Sequence, residues 1–357
     1  MQFKEKTERR LRNVLITLLI ICITPLCERG RMLKGAHNAD AFAGKDIRCV
    51  IDLGDEMYGG HGLETGLNYE FLRRFAKDNR CNIDIVTASK GENYIDSLRQ
   101  GRVDIVIAHA DNLPETEGIE VSRKMNSCSA WVVSEDKEDE LRQINIWISH
   151  LRESEDFDAT VRRYSKTAHP VKRAEKGVRT RCIGPYDELI RKYAAELGWD
   201  WRMLAAVVYQ ESKFSINSRS SRGAQGLMQV MPATARYYGI HDLLDPENNL
   251  KAGTSHLKRL QRMFAKENLE HAELIKFTLA AYNAGEGRIM DCRNLAAAKL
   301  ADNTRWDEIV KVIPMMREDS ILEEEAVKLG KFQGHETIAY IENIMSIYKA
   351  FCEICPA

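Results

Sequence analysis

The chain has 357 residues, 44% hydrophobic and 29% charged, a balance that fits a globular protein with room for two modest domains and argues against disorder. Its 52 Lys and Arg nearly offset its 53 Asp and Glu, so the formal net charge is -1 and no global positive field exists to recruit nucleic acid.

Lys4, Lys6, Arg9, Arg10 and Arg12 precede an apolar run from Val14 to Ile23, after which come Thr24, Pro25, Leu26 and Cys27. This layout over residues 1–27 predicts a secretory signal or, alternatively, an uncleaved anchor; the run falls short of the roughly 20 apolar residues that a spanning helix needs. Lipidation at Cys27 or Cys22 stays open, because Pro25-Leu26 and Ile20-Ile21 are bulky for a lipoprotein cleavage site. The expectation is a periplasmic protein, associated with the outer membrane through this segment or a lipid anchor. Export would place the nine cysteines in an oxidising compartment. Removing Cys22 and Cys27 leaves an odd number, so at least one stays unpaired. Cys352-Glu353-Ile354-Cys355 reads as a structural disulfide or as buried thiols at a helix end. No second such pair and no HxxxH pair stands near it to complete a zinc site.

From Asp46 to Ala110 strand and helix signals alternate. Ile47 to Leu53, Ile83 to Thr87 and Val103 to His109 read as strands, Leu67 to Asp78 and Asn93 to Gln100 as helices. The order β-α-β-α-β implies a mostly parallel sheet with helices packed on it. The stretches GLNYEFLRRFAKDNRCNIDIV and YIDSLRQGRVDIVIAHAD resemble the first lobe of periplasmic solute-binding domains of the amino-acid type. Ala130 to Val133 and helices around Leu141 to Leu151 and Asp156 to Tyr164 read as the return to that lobe. Too few residues separate Asp111 from Ala130 to build a second lobe, so residues 45–165 are expected to form a single α/β lobe.

Residues 166–182, basic, poor in apolar groups and broken by Pro170 and Gly177, read as a linker. Residues 183–357 follow helical periodicity and predict a mostly α domain. A helix from Tyr186 to Leu197 stops at Gly198. Asp200 is a plausible N-cap for Trp201 to Gln210, and Asp245-Pro246 starts a helix through Phe264.

Within that domain Glu211 ends an apolar helix face and is followed by a polar loop. Burial against Leu204, Val208 or Met228 would keep its carboxyl group protonated near neutrality, as a general acid requires. Taken alone, a solvated helix-end glutamate is the simpler reading. From Ser212 through His241 there is no Asp or Glu, whereas glycosidases usually pair two carboxyl groups. Glu286 and Asp291 are read as solvated or structural. Gly223 and Gly226 allow a tight turn that lets Leu227, Met228 and Gln229 line a groove.

Three ordered blocks carry a family resemblance: YQESKFSINSRSSRGAQGLMQVMPATA from Tyr209, AAYNAGEGRI from Ala280, and ETIAYI from Glu336. They resemble the lytic transglycosylases related to the soluble 70 kDa enzyme, whose catalytic domain is lysozyme-like. The whole chain resembles the membrane-bound F-type members, which add a solute-binding-like domain. The resemblance implies cleavage of peptidoglycan between N-acetylmuramic acid and N-acetylglucosamine without water, leaving a 1,6-anhydro end, with no metal or other cofactor. It assigns catalysis to Glu211 and substrate contact to Ser212, Met228, Gln229, Tyr282, Asn283 and Tyr340. Core packing competes for Tyr282 and Tyr340, and helix capping for Asn283. A lysozyme-type muramidase using water and a non-catalytic wall- or ligand-binding protein are the alternatives.

Overall fold

The computed structural model describes residues 41–53, 61–86, 92–111, 113, 117–126, 129–166 and 170–356. The expected export segment, with Cys22 and Cys27, lies outside them, as does Cys128.

The first unit runs Asp46–Asp52 (β1), His61–Asp78 (α1), Asn82–Val86 (β2), Tyr94–Arg99 (α2), Ile105–His109 (β3), Ile119–Val121 (β4), Ser129–Ser134 (β5), Glu138–Arg152 (α3) and Glu155–Lys166 (α4). Its five strands lie in the order β2-β1-β3-β5-β4. β1 is parallel to β2 and β3, with Ile47 opposite Ile83 and Cys49 opposite Ile105, while β5 is antiparallel to β3 and to β4. The mostly parallel sheet expected from the sequence is thus a small mixed sheet. The reason is connection length, since a parallel partner needs a crossover of a dozen or more residues and β4 joins β5 through residues 122–128 alone.

Strand residues alternate between two covered faces. On one face Phe75 of α1 meets Phe42, Trp131 and Trp147 edge-on at 4.9, 5.1 and 5.1 Å between ring centroids. On the other, Val50, Val106 and Val132 pack against Tyr94, Ile95 and Leu98 of α2. Burial on both sides explains why β5 reads as an unbroken apolar run.

The second unit is helical: Pro170–Glu175 (α5), Asp187–Leu197 (α6), Trp201–Ser212 (α7), Pro232–Tyr237 (α8), Pro246–Phe264 (α9), His271–Ala284 (α10), Glu286–Ala298 (α11), Trp306–Val312 (α12), Asp319–Leu322 (α13) and His335–Ile354 (α14). The stretch read as a linker therefore contains α5, which Pro170 starts with its preset φ. It is also tied down, with Thr180 N donating to the Ile354 carbonyl at 2.7 Å. Cys352 and Cys355, near the end of α14, are free thiols rather than a disulfide, as are Cys49, Cys81, Cys182 and Cys292.

One apolar core runs through both units. At their junction the Tyr69 hydroxyl donates to Asp245 Oδ2 at 3.1 Å, and the Tyr164 and Tyr186 rings meet edge-on. A cavity of about 590 Å³ opens here, lined by Arg73, Tyr164, Tyr186 and Asp245 among others, and it is separate from the site described next. Gly66 of α1 lies so close that a Cβ would sit 2.4 Å from the Tyr186 hydroxyl oxygen. Gly66→Ala is accordingly expected to destabilise the chain by about 1–3 kcal/mol, the usual range for overpacking, as read from urea denaturation. An unchanged midpoint would mean that the junction yields freely.

Candidate active site

Helix α7 forms because Asp200 caps it, accepting from Arg202 N at 2.9 Å, and because Met203 to Val208 bury an apolar run. It packs against α14. The helix stops at Ser212, where Lys213 and Phe214 both take left-handed backbone angles, φ 53° and 64°. Non-glycine residues resist this region, and here the fully buried Phe214 ring anchors the turn beside Gly184. Glu211 is thereby fixed in the last helical turn.

Part of Glu211 remains accessible. Burial is nevertheless the dominant influence on its carboxyl group, which is pushed up to about 7, against the weaker downward pull of the Tyr340 hydroxyl and the Lys213 amine. The Tyr340 hydroxyl donates to Glu211 Oε1 at 2.5 Å. No carboxylate among the described residues is among the groups acting on Glu211. The two acids weighed from the sequence are engaged elsewhere: Asp291 is buried and accepts from Lys328 N and Leu329 N, and Glu286 accepts from Arg259 at 2.8 Å.

The loop after α7 doubles back beside Glu211. The Ser212 hydroxyl is buried and donates to the Leu227 carbonyl at 2.9 Å, with the Val208 carbonyl at 3.1 Å, so it pins the loop to the helix. Gly226, at φ 76°, makes the turn, and a Cβ there would lie 2.0 Å from Asn249 Nδ2. Asn249 is fully buried on α9. Its Oδ1 accepts from Met228 N, and its Nδ2 reaches the Gln225 and Leu243 carbonyls, all at 2.9 Å. Met228 is buried as well, its side chain lying over Gly253, where a Cβ would meet Sδ at 2.5 Å. Gln229 holds the same loop, donating from Nε2 to the Ser218 and Gly226 carbonyls at 3.0 Å each.

Two further helices complete the group. Tyr282 of α10 donates its hydroxyl to the Met228 carbonyl at 2.8 Å. Asn283 is exposed, and its Oδ1 accepts from Thr337 Oγ1 at 2.8 Å, which ties α10 to α14 three residues before Tyr340. It does not cap α10, whose terminus falls at Gly285. Burial and the nearby Glu211 raise both the Tyr282 and Tyr340 hydroxyls well above the ordinary tyrosine range, so both stay protonated donors.

All seven residues singled out from the sequence thus gather around one loop. Glu211 and Tyr340 touch directly, Met228 and Tyr282 touch through a carbonyl, Ser212 and Gln229 brace the surrounding backbone, and Asn283 joins Thr337. Sequence reasoning missed Asn249, Gly253 and Thr337. Asn249 had a signal, since it lies four residues before Gly253 on the buried side of a helix whose other inward positions, Thr254 apart, carry no polar side chain. Among the described residues no three His, Cys, Asp or Glu side chains gather as a metal site would require.

The arrangement offers one carboxyl group that holds a proton near neutrality and a hydroxyl that steadies its ionised form. Tyr340→Phe removes that donor, so the Glu211 value should climb further above about 7. The alkaline limb of a pH–rate profile is expected to move up with it, while kcat falls. A profile that does not move would show that the Tyr340 hydroxyl does not act on Glu211.

Residues 188–304 match the family model described as the transglycosylase SLT domain. The particular proteins that the chain is similar to are called membrane-bound lytic murein transglycosylase F. The one from Desulfosudis oleivorans is 32% identical over 224 residues, 61% of this chain and 48% of that protein. The one from Vibrio cholerae is 36% identical over 162 residues, 45% of this chain and 30% of the relative. The chain therefore spans less than half the length of these curated relatives. Among solved structures, the 70 kDa soluble lytic transglycosylase of Escherichia coli is 27% identical over 47% of this chain and 24% of its own, with a TM-score of 0.34. An inactive variant of the lytic transglycosylase Slt from Pseudomonas aeruginosa is 20% identical over 62% of this chain and 34% of its own, with a TM-score of 0.35.

Proposed function

We propose that this chain is a peptidoglycan lytic transglycosylase. The observation that carries the reading is the lone Glu211 carboxyl group, protonated near neutrality at a helix end and steadied by Tyr340. In the first step its proton passes to the oxygen linking N-acetylmuramic acid to N-acetylglucosamine, and the C1–O bond breaks as positive charge grows at C1. The carboxylate left behind then takes the proton of the muramoyl 6-hydroxyl as that oxygen bonds to C1. The acid is regenerated, the ring closes as a 1,6-anhydro sugar, and no water is consumed.

Tyr282 and Asn283 line the substrate groove, with an exposed amide suited to an acetamido group. Met228 and Gln229 form its floor through the backbone that Asn249 holds, while Ser212 acts by position rather than by contact. Neither metal nor cofactor enters this chemistry. Residues 45–165 serve as a single lobe of the solute-binding type beside the catalytic unit at 183–357. By similarity to membrane-bound relatives, the protein works in the periplasm against a membrane. No helix among the described residues is long and apolar enough to cross one. Attachment is assigned to the N-terminal segment or a lipid anchor. The full chain is expected to release soluble muropeptides from purified sacculi, equally well with and without a chelator. No release under either condition would overturn the reading.

A further inference from the structure

Helix α9 carries Asn249, Gly253, His256 and Arg259 at spacings of three and four, which places them along one face. The first two hold Met228, as described above. The His256 ring lies 5.5 Å from Tyr282, and Arg259 reaches Glu286 at the start of α11. A row of rings continues outward from there, with Tyr238 6.4 Å from His256 and Tyr237 5.0 Å from Tyr238. Tyr237 ends the short helix α8 and is 76% exposed. A lone exposed tyrosine needs no explanation. A tyrosine at the open end of a ring row that starts at Tyr282, whose hydroxyl holds the Met228 carbonyl, is continuous with the candidate site.

We propose that Tyr237, Tyr238 and His256, with the Arg259–Glu286 pair, form a distal saccharide subsite that binds the glycan strand beyond the cleavage point. The chemistry fits an uncharged sugar. Aromatic faces pack on the C–H faces of pyranose rings, and the half-exposed guanidinium–carboxylate pair offers donors and an acceptor to hydroxyl and acetamido groups. Burial and the neighbouring Arg259 both hold His256 below its ordinary value, which keeps the row neutral at physiological pH; Glu286 opposes this more weakly. Tyr237 presents the platform, and the inner residues set its angle.

The proposal rests on the transglycosylase reading, so its test separates binding from cutting. Full-length Glu211→Gln protein is titrated calorimetrically with a β-1,4-linked N-acetylglucosamine hexamer, with and without Tyr237→Ala or Tyr237→Trp. Tyr237→Ala should weaken hexamer binding about three- to tenfold, the scale of one aromatic contact, and Tyr237→Trp should restore it. In the otherwise native chain, Tyr237→Ala should raise KM on sacculi and leave kcat unchanged. Equal hexamer affinity in all three proteins would overturn the subsite, and so would a Trp variant as weak as the Ala variant. If muropeptides are still released in those cases, the catalytic reading survives. Failure of the native chain both to bind the hexamer and to release muropeptides sinks the two together.

Discussion

Glu211→Gln is expected to reduce muropeptide release by about 10³-fold or more while leaving the chain folded. Positioned proton transfer contributes on the order of 10²–10⁴-fold, and this one side chain serves as donor in the first step and acceptor in the second. The glutamine amide keeps the shape and still accepts from the Tyr340 hydroxyl, but it has no proton of suitable acidity to give.

The same substitution carries a stability signature of definite sign. Glu211 is raised from 4.5 to about 7 on folding. Between those values the native state keeps a proton that the unfolded chain has released. The group's favourable contribution is therefore full below about 4.5, erodes as pH rises through the window, and is gone above about 7. At pH 8 the native chain must bury an ionised carboxylate. Allowing for partial solvent screening, the substitution should stabilise the protein there by about 2–3 kcal/mol and change little at pH 4. Urea denaturation at the two pH values reads the difference directly. A variant no more stable than the native chain at pH 8 would mean that the carboxyl group is well solvated, and the acid role would fall with it.

Asn249→Ala should have the largest effect on stability. It leaves Met228 N–H and the Leu243 carbonyl without their side-chain partner at a fully buried position, while the Gln225 carbonyl keeps the Val230 N–H. A buried polar group stranded in this way costs about 1–3 kcal/mol, so two together cost about 2–6 kcal/mol, less whatever entering water recovers. Activity should drop further than stability alone explains, because the turn that carries Met228 also supplies the carbonyl that orients Tyr282. Loss of less than about 1 kcal/mol would show that the loop holds itself without α9.

Local signals in the sequence place the helices that matter. Asp200 and the Asp245-Pro246 pair cap α7 and α9 as their side-chain chemistry requires, since a short carboxylate reaches the free N–H groups of a first turn. Start points that lack such a cap were harder to read. Helix α1 begins at His61, six residues before the Leu67 start read from the sequence, through a stretch containing Gly62 and Gly66 that lowers helical preference. Helices α11, α12 and α13, between Glu286 and Leu322, are short or lack a one-sided apolar stripe, and α5 is a single Pro-initiated segment in a basic run. Pairing direction in the sheet depends on connections between strands rather than on any strand's own residues, which is why β4 and β5 departed from the parallel expectation.

The Glu211–Tyr340 pair was legible for a different reason. Glu211 and Tyr340 are separated by 129 positions, so no local pattern joins them, and only the resemblance of three ordered blocks brought them together. The burial of Ser212 and Met228 was not legible. Ser212 and Met228 were taken for groove contacts, whereas Ser212 turns its hydroxyl to backbone carbonyls and Met228 is enclosed. Polar residues that serve a loop from a neighbouring helix, as Asn249 does, reveal themselves only once the loop's hydrogen-bond donors and acceptors are accounted for.

The most direct test of a single acid working without a carboxylate partner is the chemistry of the new chain end. Glycan strands are digested in water enriched in heavy oxygen, and the products are weighed by mass spectrometry. The account predicts muramoyl ends lighter than the hydrolysis product by one water and free of heavy oxygen. Reducing ends that carry the heavy isotope would contradict it, because water, not the sugar's own hydroxyl, would then be the nucleophile.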